Sequence, residues 1–233
     1  MNNKIELKEI SKHYDQKINI KVLNNINFKF KTGKIYSLMG PSGSGKSTLL
    51  NLMSLIDRPT TGKIKIENRD INFNQNAVND EIRANKIGII YQEKNLLTDF
   101  TALENVYLAR LSIDNDRNKA ITDAKRIIKN VGLINRINHY PSELSGGENQ
   151  RIAISRALIN QPEIILADEP TGNLDSTNGQ EVMTLLSDLN AGGTTVIMVT
   201  HSATDAEYAH RVINLFDGQV VSENINSKEN SLV

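Results

Sequence analysis

Residues Gly40-Pro41-Ser42-Gly43-Ser44-Gly45-Lys46-Ser47 form a complete G-x-x-x-x-G-K-[ST] pattern, with Thr48 directly behind it. The pattern describes a cradle for a phosphate chain. Its glycines let successive backbone N–H groups curl round an anion. Lys46 adds a positive charge within reach of terminal phosphates, and the Ser47 hydroxyl can ligate Mg²⁺. A helix starting here would point its positive dipole end at the same anion.

Other residues suggest chemistry around that anion. Ile164-Ile165-Leu166-Ala167-Asp168-Glu169 is an apolar run ending in two carboxylates. In an open α/β sheet, ligands sit at the carboxyl ends of strands. That places Asp168 to hold Mg²⁺ and Glu169 to orient or deprotonate an attacking water. Taken alone, the pair could equally be an acidic cap ahead of Pro170. Gln92 follows the short run Ile87–Tyr91, and His201 follows Val196–Val199. Both therefore fall at the same predicted edge, where a glutamine carbonyl can ligate Mg²⁺ or position a water. Leu144-Ser145-Gly146-Gly147-Glu148 opens an amphipathic helix with bare N–H groups. It is a second potential anion site, although physics alone accounts for it as a serine-capped helix. Tyr14 lies among polar residues, where its ring could stack on a base or cover the core.

These residues need a scaffold, and the hydrophobic pattern supplies one. Lys34–Met39 reads as a buried strand and Thr48–Leu55 as the helix after the loop, the setting the motif requires. Strands are expected at Ile5–Ile10, Ile26–Phe30, Lys63–Glu67 and Ile87–Tyr91. From Thr101 to Asn160 the spacing turns helical, with Ala120, Ile121, Ala124, Ile127, Ile128 and Val131 on one face and Gly132 as C-cap. Strand Glu163–Ala167, helix Asn178–Leu189, strand Thr195–Val199 and strands Arg211–Phe216 and Gln219–Val221 follow. The reading is α/β: a mainly parallel sheet with helices on both faces, preceded by an N-terminal antiparallel β-subdomain. One domain is expected, its core at 1–93 and 161–222, a helical insertion at 94–160 and a disordered polar tail at 223–233.

Composition narrows the classes. The 233 residues balance 27 Lys plus Arg against 27 Asp plus Glu, so bulk attraction to nucleic acid is not expected. There is no cysteine, which removes disulfide and thiol chemistry. The start alternates charged and apolar residues without the apolar core of a signal peptide. No run approaches the roughly 18 apolar residues of a membrane span, so work at a membrane would need a partner.

The order of phosphate loop, Gln92, Leu144-Ser145-Gly146-Gly147, Asp168-Glu169 and His201 resembles the ATP-binding-cassette (ABC) family, from Tyr14 to about Val221. The resemblance implies the P-loop ATPase fold of that family, with ATP and Mg²⁺ as ligands. It implies that Tyr14 stacks on adenine and that Gly40 to Thr48 hold the phosphates. Ser47, Gln92 and Asp168 would serve the metal, with Gln92 sensing the γ-phosphate. Glu169 would be the base and His201 the γ-phosphate switch. Ser145, Gly146 and Gly147 would cap the ATP of a second copy, with Asp175 in the loop that couples two sites. Two chains would close head to tail over two nucleotides and reopen on hydrolysis.

Pro170-Thr171-Gly172-Asn173-Leu174-Asp175 and LSGGE are similar to the subgroup of lipoprotein-release, macrolide-export and cell-division ATPases. Asn95–Asn105 looks closest to the lipoprotein-releasing ATPases, and His201–Ala209 is at least as similar to the peptide and macrolide exporters. Asn149 departs from the glutamine more usual at its place. The resemblance implies an active ATPase at the cytoplasmic face of the inner membrane, driving a separate permease. Leu96, Leu97 and Phe100 are either local packing or the docking surface for that subunit. The alternative is a clamp that closes on something other than a transporter.

Overall fold

The computed structural model describes residues 2–15 and 19–226. Two long antiparallel strands begin it, β1 (Asn3–Asp15) and β2 (Asn19–Lys31). Ile5, Leu7 and Ile10 break a strict two-residue period, yet all three are buried. A register shift between Leu7 and Ile10, with Glu9 at φ 52°, adds one residue to β1 and returns Ile10 to the inner face.

The chain continues through β3 (Ile35–Met39), α1 (Lys46–Met53), β4 (Thr61–Ile66), β5 (Arg69–Asp70), α2 (Asn76–Lys86) and β6 (Ile87–Ile90). Three helices follow: α3 (Ala102–Leu111), α4 (Arg117–Asn130) and α5 (Gly146–Leu158). The last part holds β7 (Ile164–Asp168), α6 (Ser176–Ala191), β8 (Thr195–Val199), the single turn α7 (Ala203–Ala206), β9 (Arg211–Phe216) and β10 (Gln219–Ile225).

Two sheets result. One is antiparallel, in the order β2-β1-β4-β5. The other runs β10-β9-β3-β8-β7-β6 and is parallel except for β10. Its central strands are apolar runs buried on both faces, as parallel strands covered on two sides must be. The two-residue alternation sorts their side chains. Tyr36, Leu38, Ile164, Leu166, Ile197 and Val199 face α1 and the antiparallel sheet in one core. Ile35, Ile165, Ala167, Val196 and Met198 face α5 and α6 in a second. A third core joins α3, α4 and α5. Helix α5 serves two of them, with Ile154 in the second core and Ile152 and Ile159 in the third.

The structure departs from the sequence reading in three places. Helix α2 was not expected, because it is polar on most sides and leans on the first core chiefly through Ile82. The cap residue of α4 is Val131, and Gly132 follows it at φ 75°. The expected disorder from 223 onward is corrected by β10, which runs to Ile225. There Glu223, Asn224 and Ile225 pair with Ile213, Val212 and Arg211, and Arg211 adds an ion pair to Glu223 at 2.6 Å. A polar edge strand is held by its ladder and so shows no apolar alternation. The rest of the expected tail, 227–233, lies outside the described residues.

One ion cluster ties the sheets together. Buried Lys4 in β1 bonds Glu67 and Glu163, and Lys86 at the end of α2 bonds the same two carboxylates. The Glu163 carboxyl is held down from 4.5 to about 2 by the hydrogen bond it shares with Glu67, then by Lys4 and Lys86. A carboxyl lowered by folding stabilises above its unfolded value and loses that contribution as protons fill it. Replacing Glu163 by Gln should therefore lower the melting temperature above pH 4.5, with the gap to wild type narrowing as pH falls from 4.5 toward about 2. Thermal unfolding followed by circular dichroism across that range tests this, and a pH-independent gap would remove the cluster from the account of stability.

Candidate active site

The phosphate loop leaves β3 at a point where only glycine fits. Gly40 has φ 147°, and a Cβ there would lie 2.1 Å from the Leu215 carbonyl oxygen of β9. The loop ends at Gly45, the N-cap of α1, which has no side-chain cap and no acid in its first turn. Its leading N–H groups are thus left for an anion. Lys46 is buried and donates to the carbonyls of Gly40 and Pro41, each at 2.8 Å. Ser44 is buried beneath the loop, and its carbonyl accepts from the Gly218 N–H at 3.2 Å.

The ends of β6, β7 and β8 bring the other groups together. In-register parallel pairing aligns Ile90 with Ala167 and Asp168 with Val199. The residues just beyond these strands therefore meet at one edge. Gln92 Nε2 donates to Glu169 Oε2 at 3.0 Å, and His201 Nδ1 lies 3.0 Å from Glu169 Oε1. Glu169 itself stands at φ 44°, a conformation costly for a residue with a side chain. Its N–H donates to the Val199 carbonyl at 2.9 Å and its carbonyl accepts from Gly172 at 3.1 Å, which hold it there. Asp168, beside it, accepts from the Ser47 hydroxyl at 3.4 Å. Burial raises the Asp168 carboxyl above its usual range; the Glu169 charge adds to this, against the Ser47 bond and Lys46.

A cleft of about 430 Å³ lies between these groups. Its walls include Gly40, Ser42, Gly43, Gly45, Lys46, Ser47, Thr48, Gln92, Glu169 and His201. Pro41 and Ser44 belong to the loop but not to the wall. Ser47 and Gln92 line this cleft, and Asp168 stands outside its wall, joined to Ser47 by their hydrogen bond. A hydroxyl, an amide oxygen and a carboxylate are the hard-oxygen donors that suit Mg²⁺ when phosphate oxygens complete the shell. Among the described residues no cluster of three His, Cys, Asp or Glu offers an all-protein metal cage.

Four of the expected residues lie elsewhere. Ser145 caps α5, accepting from the Glu148 N–H at 3.2 Å while Glu148 accepts from the Ser145 N–H at 2.8 Å. Gly146 and Gly147 form the first turn of the same helix. A Cβ on Gly147 would lie 2.2 Å from Asn178 Oδ1, so α5 and α6 begin in close contact. Asp175 caps α6 by accepting from the N–H and the side-chain amide of Asn178, at 3.0 and 2.6 Å. Those bonds lower its carboxyl. None of these four lines the phosphate cleft of its own chain.

Tyr14 is also outside the wall. Its hydroxyl donates to Asp57 at 2.9 Å, and the Lys12 ammonium sits 4.7 Å from its ring centre while donating to Asp57 at 2.7 Å. Burial, then the Asp57 carboxylate, raises the Tyr14 hydroxyl. The ring is 37% exposed and anchored at the cleft's flank.

Two positioning groups were not anticipated from sequence. Arg156 on α5 donates to the carbonyls of Asn95 and Lys94 at 2.6 and 2.9 Å, tethering the chain that follows Gln92. Buried Asn105 donates to the carbonyls of Leu97, Phe100 and Thr101, and accepts from the Leu97 N–H at 2.7 Å. Asn105 closes the Asn95–Asn105 segment, but nothing in the residue order marks its bonds; a helix polar residue that fastens a loop leaves no periodic trace. Leu97 and Phe100 are held at 48% and 39% exposure on that fixed loop, while Leu96 packs against the helical core.

Comparison with known proteins agrees with this geometry. The family model for the ABC transporter matches residues 23–172. The lipoprotein-releasing system ATP-binding protein LolD of Rickettsia bellii is 47% identical over 93% of the chain and 96% of its own length. The macrolide export ATP-binding/permease protein MacB of Mannheimia succiniciproducens is 40% identical over 95% of the chain, which spans only 34% of that longer protein. Among solved structures, the dimeric bacterial ABC transporter cassette MJ0796 superposes with a TM-score of 0.89 at 42% identity, covering 95% of this chain and 98% of that one. A second dimeric structure of that cassette, in a post-hydrolysis state bound to ADP and Pi, gives 0.86. The chain belongs to the ABC transporter family and is an ATP-binding cassette of its ATP-hydrolysing kind.

Proposed function

We propose that two copies of this chain form the motor of a bacterial lipoprotein-releasing transporter, working on a separate permease at the cytoplasmic face of the inner membrane. The observation that carries the hydrolytic part is the convergence of Gln92, Glu169 and His201 beside the phosphate loop. Near full-length identity with a lipoprotein-releasing ATPase supports the choice of transporter.

In this reading the loop N–H groups and Lys46 hold the β- and γ-phosphates, exchanging the lysine's present carbonyl partners for phosphate oxygens. Ser47, Asp168 and Gln92 would hold Mg²⁺, whose charge would neutralise the phosphates. Glu169 aligns the attacking water and takes its proton. His201 and Gln92 fix the two oxygens of that carboxylate and face the γ-phosphate. Tyr14 stacks on adenine from the flank. The core is built from β1–β6 with α1 and α2 and from β7–β10 with α6 and α7, and the helical subdomain spans 94–160.

The second anion site takes its meaning from a partner copy. Ser145, Gly146 and Gly147 form a serine-capped first turn that lies outside their own cleft, so they suit the nucleotide of the opposing chain, with Asp175 at the cap of α6. Leu97 and Phe100, displayed by Asn105, form the permease contact, and Arg156 links that contact to α5. Macrolide or peptide export is the second reading, favoured by 40% identity to MacB across 95% of the chain.

Replacing Glu169 by Gln should leave ATP binding within a few fold and cut turnover by about 10²- to 10⁴-fold; single-turnover hydrolysis beside a binding titration checks this, and mild loss would move the base elsewhere. Ser145→Arg should spare binding at one site and stop hydrolysis, because the bulky cation blocks closure. Turnover surviving in that variant would leave the second anion site without a catalytic part. The chain has no cysteine, so a single Leu97→Cys reports contacts cleanly. Short thiol crosslinking in native membranes should yield an adduct with an integral membrane protein. Mass spectrometry of that adduct separates lipoprotein release from export, and the absence of a membrane adduct counts against the motor reading.

A further inference from the structure

Asp205 is a buried carboxylate that none of the roles above uses. It stands in α7, and its N–H donates to the Ser202 hydroxyl at 3.2 Å, so the turn is capped at its start. One of its oxygens, Oδ2, receives two hydroxyls from different loops. Thr171 Oγ1 donates to it from the loop after Glu169, and Thr200 Oγ1 donates to it at 3.3 Å from the residue before His201. Thr200 is itself 2% exposed, and its hydroxyl also accepts the Ser202 N–H at 3.0 Å.

Glu169 and His201 come from neighbouring strands, β7 and β8, but their side chains meet beyond the last ladder bonds. Among the described residues, the Glu169 N–H to Val199 carbonyl bond is what joins the two backbones at that point. Farther along, the two loops have separate lives. The Thr171 loop turns back on itself through Leu174, whose N–H donates to the Thr171 carbonyl at 3.0 Å, and the His201 loop enters α7. His201 is 69% exposed, so packing does not fix its ring. A buried acceptor shared by both loops does what the ladder no longer does.

We propose that Asp205 is a positioning residue for hydrolysis, a clamp that sets the Glu169–His201 separation by holding Thr171 and Thr200 on one carboxylate oxygen. The inference rests on the roles proposed for Glu169 and His201. Asp205 does not line the phosphate cleft. Its effect is expected on kcat and not on KM, because the phosphate loop is fastened independently through β3, Ser44 and Gly218.

The test uses the full-length chain with Mg-ATP, nucleotide titration giving the active fraction and steady-state hydrolysis giving kcat and KM. Asp205→Ala should lower kcat by about tenfold or more, as small misplacements of reacting groups do, with KM within about twofold. Asp205→Asn keeps an oxygen that can accept both hydroxyls, so it should recover most of the lost rate. Thr171→Val and Thr200→Val each remove one bond and should each lower kcat at unchanged KM; they carry the test if Asp205→Ala does not fold. Wild-type kcat in Asp205→Ala, or in both threonine variants, overturns the clamp. So does an equal loss in the Ala and Asn variants, since it would follow from charge rather than from hydroxyl acceptance. Glu169→Gln run alongside separates the two levels. An active Glu169→Gln sinks the site reading itself, whereas an inactive Glu169→Gln with full rate in the clamp variants sinks only the clamp.

Discussion

The site depends on one constraint, the in-register parallel pairing of β6, β7 and β8. Strand pairing is a backbone property, yet it decides which side chains become neighbours across more than a hundred residues of sequence. Ile90 opposite Ala167 and Asp168 opposite Val199 leave Gln92, Glu169 and His201 at one edge. A shift of one residue would send each apolar strand face to the wrong core and separate these groups. The same pairing carries the left-handed Glu169, because the partner of its N–H is the carbonyl at the end of β8. The strained residue is held by the element beside it, as a conformation costing of order 1–3 kcal/mol must be.

The second organising element is α5. Its first turn carries Ser145 and the paired glycines, its middle enters two hydrophobic cores, and Arg156 grips the chain behind Gln92. A rigid helix that grips the chain behind Gln92 at one point and carries the Ser145 turn at another moves both together. Leu97 and Phe100 lie on the same tether through Asn105. A push on that loop is therefore delivered to the helix that would meet a second nucleotide. This is coupling through packed elements with named contacts.

Sequence made the parallel core and the phosphate loop legible for physical reasons. Buried strands are short apolar runs, and the loop needs glycines at fixed places, so both leave marks in residue order. The ends of these strands were legible too, because ligand edges follow from sheet topology. Other features were hidden. Helix α2 carries little apolar surface, and the end of β10 beyond Val221 is a polar edge held by its ladder, so neither shows a hydrophobic period. The Lys12–Asp57–Tyr14 group and the Asp205 clamp join residues far apart in the chain, and no local spacing encodes such a meeting. Ser202-Ala-Thr-Asp205 does carry a capping signature, which marks the turn but not what its carboxylate holds.

Lys46 is held by the loop that it serves. Its ammonium donates to the carbonyls of Gly40 and Pro41, backbone groups of the loop itself. A free lysine side chain carries about 2 kcal/mol of rotamer entropy, and in this fold that freedom is surrendered during folding. The lysine's place is thus set by the backbone of the loop it belongs to. The loop behaves less like a hand that closes than like a socket whose pin is already set. Selectivity for a phosphate chain then rests on how much better its oxygens satisfy that ammonium than two backbone carbonyls do.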